Sequence, residues 1–354
     1  MTTHPAAGPT LLTDVVPDPR DAPPLRWGVL GAGYIGGSFT DAVSRYTAGR
    51  VIATGSRDVA KAVRFAAEHG IERAYGSYEE LVTDPDVDAV YIATPHSHHR
   101  EHARLAIGAG KHVLVEKAFT RNADEARQVV EAARSAGVFC MEAMMTRHLP
   151  HVAAIRDVIA RGDIGDVREL RAGFDVSSPF DATHRMYRPE LAGGVLLDLG
   201  IYPLSFAVDL LGLPDAVSAS GLLAPTGVDV HDAIVLRYGQ DALAMLTTTV
   251  RAASPSVATI IGSEGRIDVA EQYFVPTSFT VTSASGSVQE YDGRPRDAEG
   301  NPFDEGKQYE AAEVARCIAE GLTESPRMTL DDSLALMEIM DDVRAQIGVV
   351  YPGE

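Results

Sequence analysis

The sequence predicts an α/β protein: a parallel sheet with helices on both faces, followed by an α+β unit built on a mostly antiparallel sheet. Three observations carry this. From Leu25 to about Met145, short apolar runs alternate with helical stretches, the pattern of repeated strand–helix units. A glycine-rich turn, Gly31-Ala32-Gly33-Tyr34-Ile35-Gly36, closes the first apolar run and opens a helix. Beyond Pro150, strand-like runs follow one another without intervening helices, as antiparallel pairing permits.

The elements follow in order. Residues 25–30, 51–55, 89–93, 113–115 and 138–141 are short and apolar and read as buried strands. Between them, residues 35–47, 59–69, 98–109 and 123–136 carry helical periodicity. The second part begins with a helix over 152–161, a strand over 167–176 and an apolar helical region over 195–211. Strand-like runs at 217–223, 233–238, 242–250, 257–261 and 279–282 come next. Two helices near 309–320 and 330–347 close the chain. The organisation expected is a flexible tail over 1–24, rich in Pro, Thr, Asp and Ala, one domain over 25–147 and a second over 148–354.

Composition narrows the function classes. The chain has 354 residues, 45% of them apolar, which suits two domains with sizeable cores. Its formal charge of −19, without a Lys/Arg cluster, excludes a nucleic-acid backbone as the expected partner. No apolar run is read as reaching the length needed to span a membrane, and the N-terminus lacks a signal pattern. The two cysteines, Cys140 and Cys317, have no metal-type spacing and fit a reducing cytoplasm.

The glycine turn is the first functional signal. Gly31, Gly33 and Gly36 form G-x-G-x-x-G in the strand–turn–helix context that a dinucleotide needs. The first glycine serves the tight turn, the second lets backbone approach a pyrophosphate, and the third lets helix and strand pack closely. Tyr34 and Ile35 lie inside this cofactor-binding turn. The ribose-reading position falls at the end of the second strand, where the chain reads Ser56-Arg57-Asp58. A hydroxyl and a guanidinium suit a 2′-phosphate, so NADP is expected over NAD; Asp58 is the counter-argument, as a candidate ribose acid.

Ligands bind outside the carboxyl ends of parallel strands. The strand over 89–93 ends in Thr94-Pro95-His96-Ser97-His98-His99, and that over 113–115 ends in Glu116-Lys117-Ala118. A lysine there sits beside the nicotinamide, where its charge favours a developing alkoxide; one depressed by burial could itself take the proton. Asp198 and Tyr202 are four residues apart and share a face if their helix is continuous, which Gly200 and Pro203 put in question. A phenol near a cation can act as an acid/base. His96, His98, His99 and His102 are read as solvated or capping residues rather than metal ligands, with His99 lining the cofactor cleft. No metal is expected.

On these residues the chain resembles the glucose–fructose oxidoreductase / inositol dehydrogenase (Gfo/Idh/MocA) family. The carriers are Gly31-Ala-Gly33-Tyr-Ile-Gly36, Thr94-Pro95 with His99, residues 110–117 ending in Glu116-Lys117, and residues 194–203 with Asp198 and Tyr202. Residues 141–147, Met-Glu-Ala-Met-Met-Thr-Arg, resemble the dihydrodiol dehydrogenase / NADP-linked xylose dehydrogenase branch. The resemblance implies an N-terminal Rossmann domain and a C-terminal domain with a large open sheet. That sheet would form a homodimer or homotetramer. It also implies hydride transfer between nicotinamide and a CH–OH or carbonyl carbon of a sugar, polyol or dihydrodiol. Lys117 and Tyr202 would be the catalytic pair and Asp198 would support substrate. Arg147 and His184 are further substrate-binding candidates, with His148, Phe174, Arg185 and Tyr187 lining the pocket. A sugar-carbonyl reductase, a redox-neutral glycosidase and a non-catalytic NADP-binding regulator are the alternatives. The family commonly has Pro after the lysine; here Ala118 stands there, and a trans Lys117–Ala118 bond is expected because cis costs a non-proline residue about 2.5–4 kcal/mol.

Overall fold

The computed structural model describes residues 16–294 and 306–354. The first half forms strands β1 (Arg26–Leu30), β2 (Arg50–Gly55), β3 (Arg73–Tyr75), β4 (Ala89–Ile92), β5 (His112–Glu116) and β6 (Cys140–Ala143). Between them run helices α1 (Tyr34–Tyr46), α2 (Val59–His69), α3 (Tyr78–Val82), α4 (His99–Gly108) and α5 (Ala123–Ala136). The strands pair in parallel in the order β3-β2-β1-β4-β5-β6. This is the doubly wound order whose ligand crevice opens between β1 and β4. Val29, Leu30, Tyr91, Ile92, Leu114 and Val115 are fully buried in that sheet, as strands covered on both faces require. Local signals end the helices: Asp58 accepts the Lys61 amide at the start of α2, and Asn122 accepts that of Glu125 at the start of α5. Gly70 and Gly137 close the two helices in the left-handed conformation.

The second half contains α6 (Pro150–Ala160), β7 (Val167–Asp175), a π-helical turn Leu196–Gly200 running into α7 (Ile201–Leu211), and β8 (Ala216–Leu223). Strands β9 (Asp229–Tyr238), β10 (Ala242–Thr249), β11 (Ala258–Gly262), β12 (Gly265–Val269), β13 (Ser278–Ser283) and β14 (Val288–Asp292) follow. Helices α8 (Lys307–Ala319) and α9 (Leu330–Ile347) complete the chain. The eight strands order as β14-β13-β12-β11-β7-β10-β9-β8, antiparallel except for the β7–β10 pair. Burial along β9 alternates, with Ile234 and Leu236 inside and Val235 and Arg237 exposed, so one face of the sheet packs on helices and the other meets solvent.

Three expectations change. Residues 1–15 of the expected tail lie outside the described residues, but 16–24 are packed: Ala22 is buried and Arg316 donates to the carbonyls of Pro17 and Asp18. Strands β3, β12 and β14 and helix α3 were not foreseen, being too short to show a period. The helical stretch Pro189–Leu211 is long and apolar enough to cross a membrane by length and composition, contrary to the reading of the sequence, and 89% of its most apolar window is buried inside the protein.

Candidate active site

The glycine turn lies at the carboxyl end of β1. Gly31 has φ +116° and a Cβ there would sit 2.7 Å from the Ala93 carbonyl oxygen, so the turn excludes other residues sterically. A Cβ at Gly36 would meet the Gly31 carbonyl oxygen at 2.7 Å, whereas one at Gly33 would meet nothing within 4 Å. The turn thus packs tightly against β4 while its middle faces open space at the start of α1, where free amides and the helix dipole favour a phosphate. Tyr34 is 90% exposed and Ile35 half-buried. These features fit a dinucleotide pyrophosphate.

On the β2 side, Ser56 is buried and its hydroxyl accepts the Asp58 amide at 3.2 Å. The Asp58 carboxylate is occupied as the cap of α2. Arg57 is exposed, pairs with the Tyr78 hydroxyl, and lines a 780 Å³ cavity with Tyr78, His98, Arg100, His102 and Arg104. Glu79 and Glu101 also line it, so cations prevail.

The β4 loop carries the histidines. The His99 ring is fully buried between the carbonyls of Ala118 (Nδ1, 2.9 Å) and Thr94 (Nε2, 2.7 Å). It therefore braces the loops rather than lining the cleft. His96 lies likewise between the carbonyls of Ala192 (3.1 Å) and Lys117 (3.2 Å). Burial lowers both rings, His96 to about 3 and His99 to about 4, so each is neutral at working pH and donates to one of its two neighbouring carbonyls. Thr94 Oγ1 meets His102 Nδ1 at 3.0 Å, and His98 stacks on His102. The Lys117–Ala118 peptide is cis, correcting the trans expectation. Local cost does not decide it: the carbonyls of both residues are held by these imidazoles, and Phe119 donates its amide to Glu142 Oε1 at 2.9 Å.

At the end of β5, Lys117 Nζ donates to the Asp198 carbonyl at 2.5 Å and to Asp198 Oδ1 at 3.1 Å, and lies 5.0 Å from the centre of the Tyr202 ring. Arg185 Nη2 donates to the other carboxylate oxygen, Oδ2, at 2.9 Å. Asp198 is thus shared between a buried amine and an arginine whose side chain is 52% exposed. The π-helical turn continues into α7, which settles the continuity that Gly200 and Pro203 put in question. Phe174 and Phe274 stack at 3.8 Å and both flank Tyr202, at 5.2 and 5.5 Å.

Protonation follows from these contacts. Burial alone would lower the Lys117 amine, but Asp198, Tyr202 and Glu116 outweigh it and hold it above its ordinary value. The depressed lysine of the sequence reading is therefore corrected: its carboxylate partner keeps it a cation. Burial would raise Asp198, yet Lys117 and Arg185 hold it well below the carboxylate range. Tyr202 is pushed up to about 12 by burial, which exceeds the opposing pull of Lys117, so the expected lowering of the phenol is also reversed. Burial likewise raises the Glu116 carboxyl, which accepts from the Tyr91 hydroxyl beneath the site.

The two further substrate candidates are placed differently. Arg147 is buried behind the site, bonded to Ser205 Oγ (3.2 Å) and paired with Asp332 (3.3 Å), so its guanidinium ties α7 to the start of α9 and does not reach the cleft. His184 is exposed beside Arg185 and accepts the Met186 amide. Sequence reasoning missed Phe274, which no local pattern marks, and saw Arg185 only as a lining residue.

Two family descriptions cover most of the chain: the Gfo/Idh/MocA oxidoreductase family with an NAD-binding Rossmann fold over residues 25–144, and the Gfo/Idh/MocA C-terminal domain over 152–268. The trans-1,2-dihydrobenzene-1,2-diol dehydrogenase of Danio rerio is 40% identical, covering 92% of this chain and 98% of its own. A 3-ketoreductase from Actinomadura kijaniata, solved with NADP and TDP-benzene, superposes with TM-score 0.79 at 28% identity over 92% of this chain and 98% of its own. A levoglucosan dehydrogenase holding NADH and levoglucosan shares the fold, with TM-score 0.82 at 24% identity over 94% of this chain and all of its own.

Proposed function

The chain belongs to the Gfo/Idh/MocA family and is an NAD(P)-binding oxidoreductase; from that premise we propose an NADP-preferring dehydrogenase for a CH–OH carbon of a dihydrodiol, sugar or polyol. The observation that carries the reading is the convergence of Lys117, Asp198 and Tyr202 at the carboxyl end of β5. The dihydrodiol dehydrogenase relatives favour a ring-bearing diol. The stacked Phe174–Phe274 pair beside Tyr202 offers a flat apolar surface to the face of such a ring.

Bound nicotinamide supplies the hydride acceptor. Gly31, Gly33 and Gly36, with the start of α1, hold the pyrophosphate. Ser56 and Arg57 read the 2′-phosphate, a role supported by the occupation of Asp58 as a helix cap and by the arginines around the cavity. Thr94, Pro95 and the Glu116–Lys117 backbone would flank the bound cofactor beyond the glycine turn. Tyr202 exchanges the hydroxyl proton. Lys117, kept cationic by Asp198, stabilises the alkoxide. Asp198 orients the lysine and accepts from a substrate hydroxyl. At neutral pH the set stands as neutral phenol, ammonium and carboxylate, ready to donate a proton to a carbonyl; oxidation requires the phenolate and gains with rising pH. The exposed face of the C-terminal sheet is the surface for a homodimer or homotetramer.

The test is a turnover screen with NADP and NAD across trans-dihydrodiols, aldoses, deoxy sugars and anhydro sugars. Turnover of cyclic diols with NADP, faster than with NAD, is the expected result. No turnover with any substrate, in either direction, would favour a non-catalytic NADP-binding regulator.

A further inference from the structure

Behind the Asp198 segment lies a pair of acids that the chemistry does not use. Asp229 and Asp232, both on β9, are fully buried. Asp229 Oδ2 accepts the Leu196 amide at 2.6 Å, at the first residue of the π-helical turn that carries Asp198. Among the described residues, no N–H or hydroxyl donor reaches either oxygen of Asp232, whereas the backbone amides of Val195 and of Asp229 itself also stand near the Asp229 carboxyl. The two carboxyls lie close enough to interact directly with each other. Two ionised carboxylates offer each other only acceptors and repel, so a hydrogen bond between them requires a proton on one.

The surrounding chain is shaped around the pair. Gly194 has φ +113°, and a Cβ there would overlap Asp229 Oδ1. A Cβ at Gly221 would lie 2.5 Å from Asp232 Oδ1. The Tyr351 hydroxyl fastens Gly193 by its carbonyl at 2.8 Å. The charged groups near the pair are otherwise occupied: Arg344 of α9 by Asp341 and Glu354, and Asp198 by Lys117 and Arg185.

We propose that Asp229 and Asp232 share a single proton and together position the segment over 193–200: Asp229 accepts the Leu196 amide as a carboxylate, and Asp232 donates to it as the neutral acid. Burial and the neighbouring Asp229 push Asp232 up to about 9, which agrees. Loss of that proton would put two negative charges side by side in a buried site and loosen Asp229 from Leu196, two residues before Asp198. These are positioning residues, and the proposal rests on the catalytic reading of Asp198 for its effect on turnover.

Linkage gives a readout independent of turnover. A carboxyl whose folded pKa is raised contributes stability that is fully present below its unfolded pKa near 4 and is lost as pH rises through about 9. The wild-type melting temperature should therefore fall between about pH 5 and about pH 9. Asp232→Asn, a permanent donor of similar shape, should flatten that fall and keep kcat within about twofold. Asp229→Ala should lower kcat by about 10²-fold, the scale for a misplaced catalytic group, with NADPH affinity unchanged. If Asp229→Ala does not fold, Asp229→Asn is read instead, with a smaller kcat loss expected. The proposal is overturned if Asp232→Asn keeps the wild-type pH slope, or loses as much kcat as the Asp229 variant. If Lys117→Ala keeps full turnover, the catalytic reading fails, while the melting data still decide the shared proton.

Discussion

At the Arg57 end of the parallel sheet, charge is exposed and loosely held; at the Lys117 end it is buried and fully committed. Arg57, Arg100 and Arg104 face an open cavity with Tyr78 and two glutamates as company. Lys117 and Asp198 are each about nine-tenths covered and bonded to one another. Exposed cations can change partners when a phosphate arrives, so that end suits affinity and selectivity. Buried groups have their protonation dictated by neighbours, so the other end suits proton transfer. Substitutions at the two ends should therefore separate into binding effects and rate effects.

The largest effect is expected at the buried end. Lys117→Ala should lower kcat by roughly 10²–10⁴-fold, the usual range for a catalytic acid/base group, while NADPH fluorescence titration gives an unchanged Kd. A matching loss of cofactor affinity would erase the contrast between the ends. Next comes Tyr202. With its phenol at about 12, the phenolate fraction grows about tenfold per pH unit below that value, so oxidation should rise and reduction fall as pH increases. Tyr202→Phe should cost about 10²-fold and remove the slope. A slope that survives in Tyr202→Phe would assign the proton to another group.

Arg57→Ala should weaken NADP by roughly 10- to 150-fold, the equivalent of about 1.5–3 kcal/mol for a charge-assisted phosphate contact, and leave NAD and kcat unchanged. Equal losses for both cofactors would show that Arg57 does not read the phosphate. The smallest effect tests the turn that both ends share. Gly31→Ala, at φ +116° and against the Ala93 carbonyl, should cost about 1–3 kcal/mol of stability by denaturant unfolding, with cofactor affinity falling alongside.

Much of this was legible in the sequence because it is local. Strand–helix alternation and the glycine spacing each arise from residues a few positions apart. Lys117 was recognisable because a strand end dictates where a side chain emerges. Asp198 and Tyr202 stood out as candidates through their four-residue spacing together with the family resemblance.

What only the tertiary structure decided is the electrical state of those groups and the scaffolding behind them. Lys117 meets Asp198 across 81 residues, and that pairing outweighs the burial that alone would have discharged the amine. His99 shows no sign in its own neighbourhood that its ring will lie buried between the carbonyls of Ala118 and Thr94. Arg147, polar and close to the expected cleft in sequence, turns inward to Asp332. Asp229 lies 33 residues beyond the amide it accepts, on a strand that reads as half-buried and ordinary. Local preference selects elements because backbone dihedrals are set by near neighbours; protonation and side-chain direction depend on dielectric and partner charge, which exist only once distant segments have packed.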